Sequence, residues 1–208
     1  MRIPEITLNS QFGSFISNFI FYNTWIKNVV EIGSGSGDGS TQCFIKGLYN
    51  RKNASLTCIE SNPSWFSDLK ENTRDYSFVK CINKSSISYD NLLVKTFEEY
   101  LTQCSKTIEY EYRRKWYDQD ILFFKDTKIG EGGIETDEKY DCVLIDGSEF
   151  SGYSEYLLIK NRTKCIMLDD INEFKCFRVH EELSSDDNWE LVHTGPERNG
   201  FSCFVKIK

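Results

Sequence analysis

The chain has 208 residues, of which 39% are hydrophobic, and it carries a formal net charge of −7 at pH 7. That length and apolar content are typical of one domain, 1–208, with a sizeable core. The negative charge argues against a broad nucleic-acid surface, because phosphate binding draws on clustered Lys and Arg. The sequence shows no signal peptide and no apolar run long enough for a membrane helix, so we expect no membrane partner.

The eight cysteines could indicate a disulfide scaffold. Their spacing includes no pair two residues apart, as a zinc or redox motif would require. Five of them lie inside apolar runs, where Cys behaves as a small hydrophobe: Cys58, Cys81, Cys142, Cys165 and Cys203. We therefore expect a reducing, cytoplasmic compartment.

Near the N-terminus, apolar residues recur at helical spacing from Phe12 to Ile20. This periodicity predicts a lead-in helix over about 10–25 that packs on a sheet. A short β-branched run from Val29, which contains the acidic Glu31, then breaks into alternating glycines before Ser40 and Thr41, which are typical helix-start residues. The stretch thus predicts a strand, a tight turn and a helix.

The glycines at this turn permit positive φ and let a ligand approach the backbone closely. The start of the following helix offers free N–H groups to such a ligand. A nucleotide-like ligand is therefore favoured over other small molecules. A Gly-rich turn in some other α/β protein is the alternative.

The spacing of the glycines narrows the choice of nucleotide. A dinucleotide fingerprint needs its third glycine where Asp38 stands, and a phosphate-binding loop ending in Lys and Ser or Thr is absent. Glu31 followed by the alternating Gly33, Gly35 and Gly37 resembles the first motif of class I S-adenosylmethionine-dependent methyltransferases. The resemblance implies that Glu31 helps to hold the methionine end of the cofactor and that the glycine loop wraps its nucleoside.

The run 54–60 predicts a second strand that ends in Glu60. Doubly wound nucleotide folds place an acid near this position on the ribose hydroxyls, and one carboxylate can accept from both. Ser61 follows directly and is assigned to the same cofactor site. After a third strand, 78–83, the resemblance implies a contact with adenine, for which we select Ser85. A solvated acid at a strand end is the alternative for Glu60.

The segment 105–140 is the least regular part of the sequence. It mixes charged with aromatic residues and is later punctuated by glycines. Acids interleave its basic residues, so an ion-paired surface is favoured over nucleic-acid binding. We interpret it as an insertion that serves as a lid or as a contact between copies in a homo-oligomer.

Two later strands also end in acids: the fourth in Asp146, before a glycine, and the fifth in Asp169 and Asp170. Open α/β sheets bind ligands at these strand ends, and three carboxylates could converge on a hard divalent cation. The pattern resembles cation-dependent small-molecule and sugar O-methyltransferases, which implies that Asp146, Asp169 and Asp170 bind Mg²⁺ or another divalent cation. The alternative is that Asp169 or Asp170 caps a helix near Asn172 while Asp146 faces solvent.

One position departs from that family. Many relatives carry a histidine base two residues after the glycine, whereas this chain has Glu149. A carboxylate could take the proton of a metal-bound hydroxyl, so Glu149 and Asp146 are the catalytic candidates. Glu149 could equally accept a hydrogen bond from the substrate.

The C-terminal part predicts a charged helix with Lys175, Arg178 and His180, in which the histidine has a surface or structural role. Two strands at 189–193 and 201–207 then form a hairpin. The expected fold is α/β, a Rossmann-like doubly wound seven-stranded sheet, mostly parallel with a C-terminal antiparallel hairpin. It resembles the methyltransferase sheet over nearly the whole chain.

The resemblance implies methyl transfer from S-adenosylmethionine to a hydroxyl of a small molecule or sugar. Two alternatives stay open. A nicotinamide-dependent oxidoreductase would share the strand, the loop and Glu60. A non-catalytic binding or assembly protein would keep the core without needing a cofactor.

Overall fold

The structure is a computed structural model that describes residues 4–104 and 110–207. Within these ranges, seven strands form one sheet: β1 (Asn28–Ile32), β2 (Ser55–Ile59), β3 (Val79–Ile82), β4 (Tyr140–Ile145), β5 (Thr163–Asp169), β6 (Trp189–Gly195) and β7 (Phe201–Lys206).

The described residues also form seven α-helices and one short 3₁₀ turn, Tyr89–Asn91. The helices are α1 (Gln11–Tyr22), α2 (Ser40–Leu48), α3 (Pro63–Thr73), α4 (Phe97–Gln103), α5 (Tyr110–Asp126), α6 (Gly152–Ile159) and α7 (Phe177–Ser185).

The strand order is β3-β2-β1-β4-β5-β7-β6. Strands β1 to β5 are parallel, and β7 runs antiparallel to both of its neighbours. The expected seven-stranded sheet with a C-terminal antiparallel hairpin is therefore confirmed. The chain leaves β1 in one direction to β2 and returns to β4 on the other side, which makes the carboxyl ends of β1 and β4 the switch point where such sheets bind ligands.

The core lies on both faces of the sheet. On β1, Val29 packs into one hydrophobic cluster and Val30 into the other, and on β4 Cys142 and Val143 divide in the same way. Successive side chains of a strand point to opposite faces, so a strand covered on both sides is mostly apolar. This explains the nearly continuous apolar runs of the sequence.

All eight cysteines are free thiols, and six of them are buried. Their pattern fits the interpretation of cysteine as a small core hydrophobe. Among the described residues, no helix combines the length and apolarity that crossing a bilayer requires.

The two segments outside the regular βα alternation are α1 and the stretch before β4. Helix α1 falls within the predicted lead-in segment, and the ring of its buried Phe12 stacks on Phe201 of β7 with centroids 4.4 Å apart. Of the predicted insertion 105–140, residues 105–109 lie outside the described residues, and α5 forms most of the rest. Tyr117, Ile121 and Phe124 attach α5 to the core.

Candidate active site

A cleft of about 1130 Å³ lies along the carboxyl ends of the parallel strands. Its walls come from the glycine loop after β1, the ends of β2 and β4, the segment after β5 and one side of α5. The position agrees with the switch point of the sheet.

The glycine loop owes its course to two different constraints. Gly33 has φ +83°, and a Cβ on it would lie 2.2 Å from the carbonyl oxygen of Asp146, so only glycine lets β1 and β4 end this close together. Gly35 has φ +55° and nothing within 4 Å of its would-be Cβ, so its backbone faces open space. Gly37 instead packs against Leu69 of α3 and does not line the cleft.

Glu31 is fully buried behind the loop. The hydroxyl groups of Ser40 and Thr41 each donate to one of its carboxylate oxygens at 2.6 Å. Burial raises the pKa of Glu31, while these two hydrogen bonds pull it down. Through these hydrogen bonds Glu31 joins β1 to the first turn of α2. It does not line the cleft, whereas the resemblance implies a contact with the cofactor.

Glu60 follows β2 and does line the cleft, although it is only 5% exposed. Its two oxygens accept from the backbone N–H groups of Gly35, at 2.9 Å, and of Asn62, at 2.7 Å. Burial raises the pKa of Glu60 to about 7, against these hydrogen bonds. Each carboxylate oxygen keeps a second lone pair, so the group can still accept from a bound hydroxyl.

The next part of the wall contains Ser61 and Ser85. The side-chain amide of Asn83 donates to the backbone oxygens of Glu60 and Ser61, at 2.8 and 3.2 Å, and so fixes the turn after β2 to the end of β3. The backbone oxygen of Ser85 accepts from the N–H group of Gly133 at 2.9 Å. The later part of the insertion therefore meets the segment after β3 at this end.

Helix α5 forms the opposite wall through Gln119, Asp120 and Phe123. The hydroxyl of Ser148, after β4, donates to Asp120 at 2.6 Å. Burial raises the pKa of Asp120, with the Ser148 hydrogen bond opposing it. The predicted insertion thus supplies a carboxylate to the cleft that the sequence did not indicate.

At the other end of the cleft, one oxygen each of Asp146, Asp169 and Asp170 lie within 4.8 Å of one another. Lys175 points its ammonium group into this cluster, with Nζ 2.7 Å from Asp146 Oδ1, 2.8 Å from Asp170 Oδ2 and 3.6 Å from Asp169 Oδ2. Burial works against the charged ammonium, but the three carboxylates outweigh it and raise the pKa of Lys175. The cluster therefore already contains a cation.

The turn of the β6–β7 hairpin closes the same cluster from outside. The guanidinium of Arg198 lies 3.2 Å from Asp169 and 3.5 Å from Asp170. Asp170 has φ +55°, a left-handed conformation that costs a non-glycine residue about 1 kcal/mol or more. The amide of Asn199 donates to its carboxylate at 3.0 Å, which helps to hold this conformation.

Two interpretations of the sequence are wrong: the helix cap at Asp169 or Asp170, and the place of Lys175 on a helix. Helix α7 begins at Phe177, with Cys176 as its N-cap residue, so neither Asp169 nor Asp170 caps a helix. For the same reason Lys175 is not on the charged helix as predicted. It precedes that helix, and its side chain is 5% exposed.

As placed, these residues do not fit a divalent ion. Magnesium needs oxygens at about 2.1 Å in octahedral geometry, whereas the centre of this cluster is taken by Lys175 Nζ. An ion about 3 Å from the ammonium would be repelled by on the order of 10 kcal/mol at an effective dielectric constant of about 20. The carboxylates converge, but on an amine.

Glu149 lines the cleft beside this cluster. Its Oε1 atom lies 2.7 Å from the guanidinium of Arg113 on α5, an ion pair whose angle falls short of a hydrogen bond, and Arg113 also contacts Glu173 at 3.3 Å. Burial raises the pKa of Glu149 to about 7, with Arg113 and Lys175 pulling it down. A carboxyl with that pKa exchanges its proton near neutral pH.

No protein-family model and no curated protein matches the chain by sequence. Solved structures do match. An O-methyltransferase from Bacillus cereus in complex with S-adenosylhomocysteine superposes with a TM-score of 0.59 at 14% identity, over 98% of this chain and 84% of that one. An S-adenosylhomocysteine-bound methyltransferase from Podospora anserina gives 0.58 at 13% identity, over 95% and 78%.

The fold is that of the class I methyltransferases. The predicted resemblance is thereby confirmed at the level of the fold. A candidate RNA methyltransferase from Pyrococcus horikoshii shares it, with a TM-score of 0.51 at 11% identity, over 95% of this chain and 84% of that one. The methyltransferase fold therefore does not by itself select the acceptor.

The cleft brings together most of the residues that the sequence singled out: Gly33, Gly35, Glu60, Ser61, Ser85, Asp146, Glu149 and Asp170. Glu31, Gly37 and Asp169 lie behind it. The sequence analysis missed Lys175, Arg198, Arg113 and Asp120. A basic residue five positions after the Asp-Asp pair was the available signal for Lys175, but the helix assignment obscured it.

Proposed function

We propose that the chain is a methyltransferase that uses S-adenosylmethionine and methylates a hydroxyl of a small molecule or sugar. The observation that carries this proposal is Glu60, held against the backbone of Gly35 at the wall of a cleft of about 1130 Å³. A nucleoside in the cleft would present its vicinal hydroxyls to this carboxylate. Structures with the same fold bind S-adenosylhomocysteine, which supports the assignment.

The residues along the cleft have distinct roles in this proposal. Gly33 and Gly35 admit the cofactor to the loop, Glu60 and Ser61 hold its ribose, and Ser85 lies at the adenine. The open space beside Gly35, which a Cβ would partly fill, fits such a ligand. The sulfonium supplies an electrophilic methyl group, so the protein mainly aligns the acceptor oxygen and accepts its proton.

Glu149 is the proton acceptor in this scheme, because its pKa of about 7 suits proton transfer near neutral pH. Asp146 holds Lys175 at the same end of the cleft. The divalent cation implied by the sequence has no part in the proposed reaction, since the amine of Lys175 takes its place.

The proposal is tested by calorimetric titration of the folded chain with S-adenosylhomocysteine and, separately, with NADH. We expect one S-adenosylhomocysteine per chain and weaker or no binding of NADH. Tighter binding of NADH would favour the nicotinamide-dependent oxidoreductase. A folded chain that binds neither would favour a non-catalytic protein on this fold.

A further inference from the structure

Lys175 is held in place by the fold rather than by its carboxylate neighbours alone. A Cβ on Gly152, the first residue of α6, would lie 2.0 Å from the carbonyl oxygen of Lys175, so the two backbones are in close contact. The thiol of the adjacent Cys176 donates to the carbonyl oxygen of Ile145 at 3.7 Å. The backbone of Lys175, from which its side chain extends into the cluster, is therefore fixed in position.

The contacts of the ammonium group account for two of its three N–H groups. Asp146 and Asp170 lie within 2.8 Å of Nζ, whereas the distance of 3.6 Å to Asp169 is too long for a hydrogen bond. Lys175 also lines the cleft. One N–H group can therefore serve a ligand oxygen.

The carboxyl groups of the cluster already face organic cations. Lys175 and Arg198 both lie within 3.6 Å of the carboxyl groups of Asp146, Asp169 and Asp170, and Arg198 also pairs with Glu5. A divalent ion gains less from carboxyl groups that have such partners, and it must also displace a buried amine. The site is thus built around an organic cation.

We propose that Lys175 is the resident cation of this site, that it excludes divalent metal ions, and that it donates a hydrogen bond to the acceptor oxygen. The contact with the acceptor rests on the proposed methyl transfer, whereas the exclusion of metal does not. Methyl transfer by this chain is then insensitive to chelators.

The experiment is a titration of the chain with Mn²⁺, followed by the electron paramagnetic resonance signal of the free ion, with and without S-adenosylhomocysteine. The variants are Lys175→Met, which removes the charge, and Lys175→Arg, which keeps it. The matched control is Lys52→Met at an exposed lysine outside the cleft. S-adenosylhomocysteine binding is measured on the same samples.

We expect wild type, Lys175→Arg and Lys52→Met to bind no stoichiometric Mn²⁺ at about 1 mM, the weak end of protein sites for hard cations. Lys175→Met should bind one Mn²⁺ at least tenfold more tightly. One Mn²⁺ per wild-type chain at about 0.1 mM would overturn the proposal, and so would a folded Lys175→Met chain without Mn²⁺ binding. If that variant does not fold, the wild-type titration decides alone.

Failure of the methyltransferase assignment would look different. It would appear as absent S-adenosylhomocysteine binding in wild type, whatever the outcome with Mn²⁺. The two proposals can therefore fail separately.

Discussion

The two ends of the cleft are built in different ways. The end proposed for the cofactor, called the cofactor end, is made largely of backbone, with the loop at Gly33 and Gly35 fixed by its own dihedral angles and by the carboxylate of Glu60. The end proposed for the acceptor, called the acceptor end, is made of charged side chains from separate segments, with Lys175 and Arg198 among the aspartates. Backbone geometry sets the shape of the first end, whereas pairing between charged side chains sets that of the second.

The largest effect is expected at Gly33, where the glycine loop of the cofactor end contacts the end of β4. Gly33→Ala should lower the free energy of unfolding by about 4 kcal/mol or more and abolish S-adenosylhomocysteine binding, because its Cβ would overlap the backbone of Asp146. Chemical denaturation and calorimetry measure both. Gly35→Ala is the control for stability, with a loss of about 1 kcal/mol from φ alone; equal losses of unfolding free energy in the two variants would contradict this explanation.

The next effect is confined to the acceptor end. Arg113→Gln should cost about 3 kcal/mol of stability, since it removes the guanidinium that pairs with the buried carboxyl of Glu149. S-adenosylhomocysteine binding should stay within a few-fold of wild type. The neighbouring Arg114 pairs with Asp118 at the surface, so Arg114→Gln should unfold at nearly the wild-type urea concentration when both variants are titrated. A larger loss of stability in Arg114→Gln than in Arg113→Gln would contradict this expectation.

A smaller effect is expected at the cofactor end. Glu60→Gln should weaken S-adenosylhomocysteine binding by about 10- to 100-fold, because an amide offers one acceptor oxygen to the two ribose hydroxyls and a carboxylate offers two. Isothermal titration calorimetry measures the change. Glu138→Gln, at an exposed position outside the cleft, should bind as wild type does. Unchanged affinity in Glu60→Gln would remove Glu60 from the cofactor site.

The smallest expected effect is a dependence of S-adenosylhomocysteine affinity on pH, which distinguishes the two ends of the cleft. The pKa of Glu60 is raised to about 7, so the carboxylate that we propose accepts from ribose is lost as the pH falls through 7. The affinity for S-adenosylhomocysteine should therefore fall by up to about tenfold per pH unit below 7. Glu149→Gln should keep this slope and Glu60→Gln should lose it. A slope that follows Glu149 instead would move the titration to the acceptor end.

The sequence indicated which residues meet at the glycine-loop end of the cleft because the signals for them are local. The glycine spacing and the acids at strand ends depend on the order of residues along the chain, and parallel strands bring Gly33 and Glu60 to one edge of the sheet. The seven-stranded topology followed from the same alternation of patterns. The position of Glu31 did not, since its partners Ser40 and Thr41 are set by how α2 packs.

The acceptor end could not be predicted to the same depth. The destination of Lys175 depends on the path of the loop after β5, which includes the left-handed Asp170 and the contact with Gly152. Arg198 reaches the cluster only because the hairpin turn folds back on β5. In the sequence, acids at the ends of neighbouring strands suggest a metal site. Only the three-dimensional arrangement shows that the amine of Lys175 lies among them.

In the proposed function, the cleft holds an S-adenosyl nucleoside against Glu60. A crystal structure of the chain with S-adenosylhomocysteine would show this contact or its absence. We expect density for the ligand along the glycine loop, with both ribose hydroxyls within hydrogen-bond distance of the Glu60 carboxylate and the adenine beside Ser85. Ligand density outside this cleft, or a ribose turned away from Glu60, would contradict it.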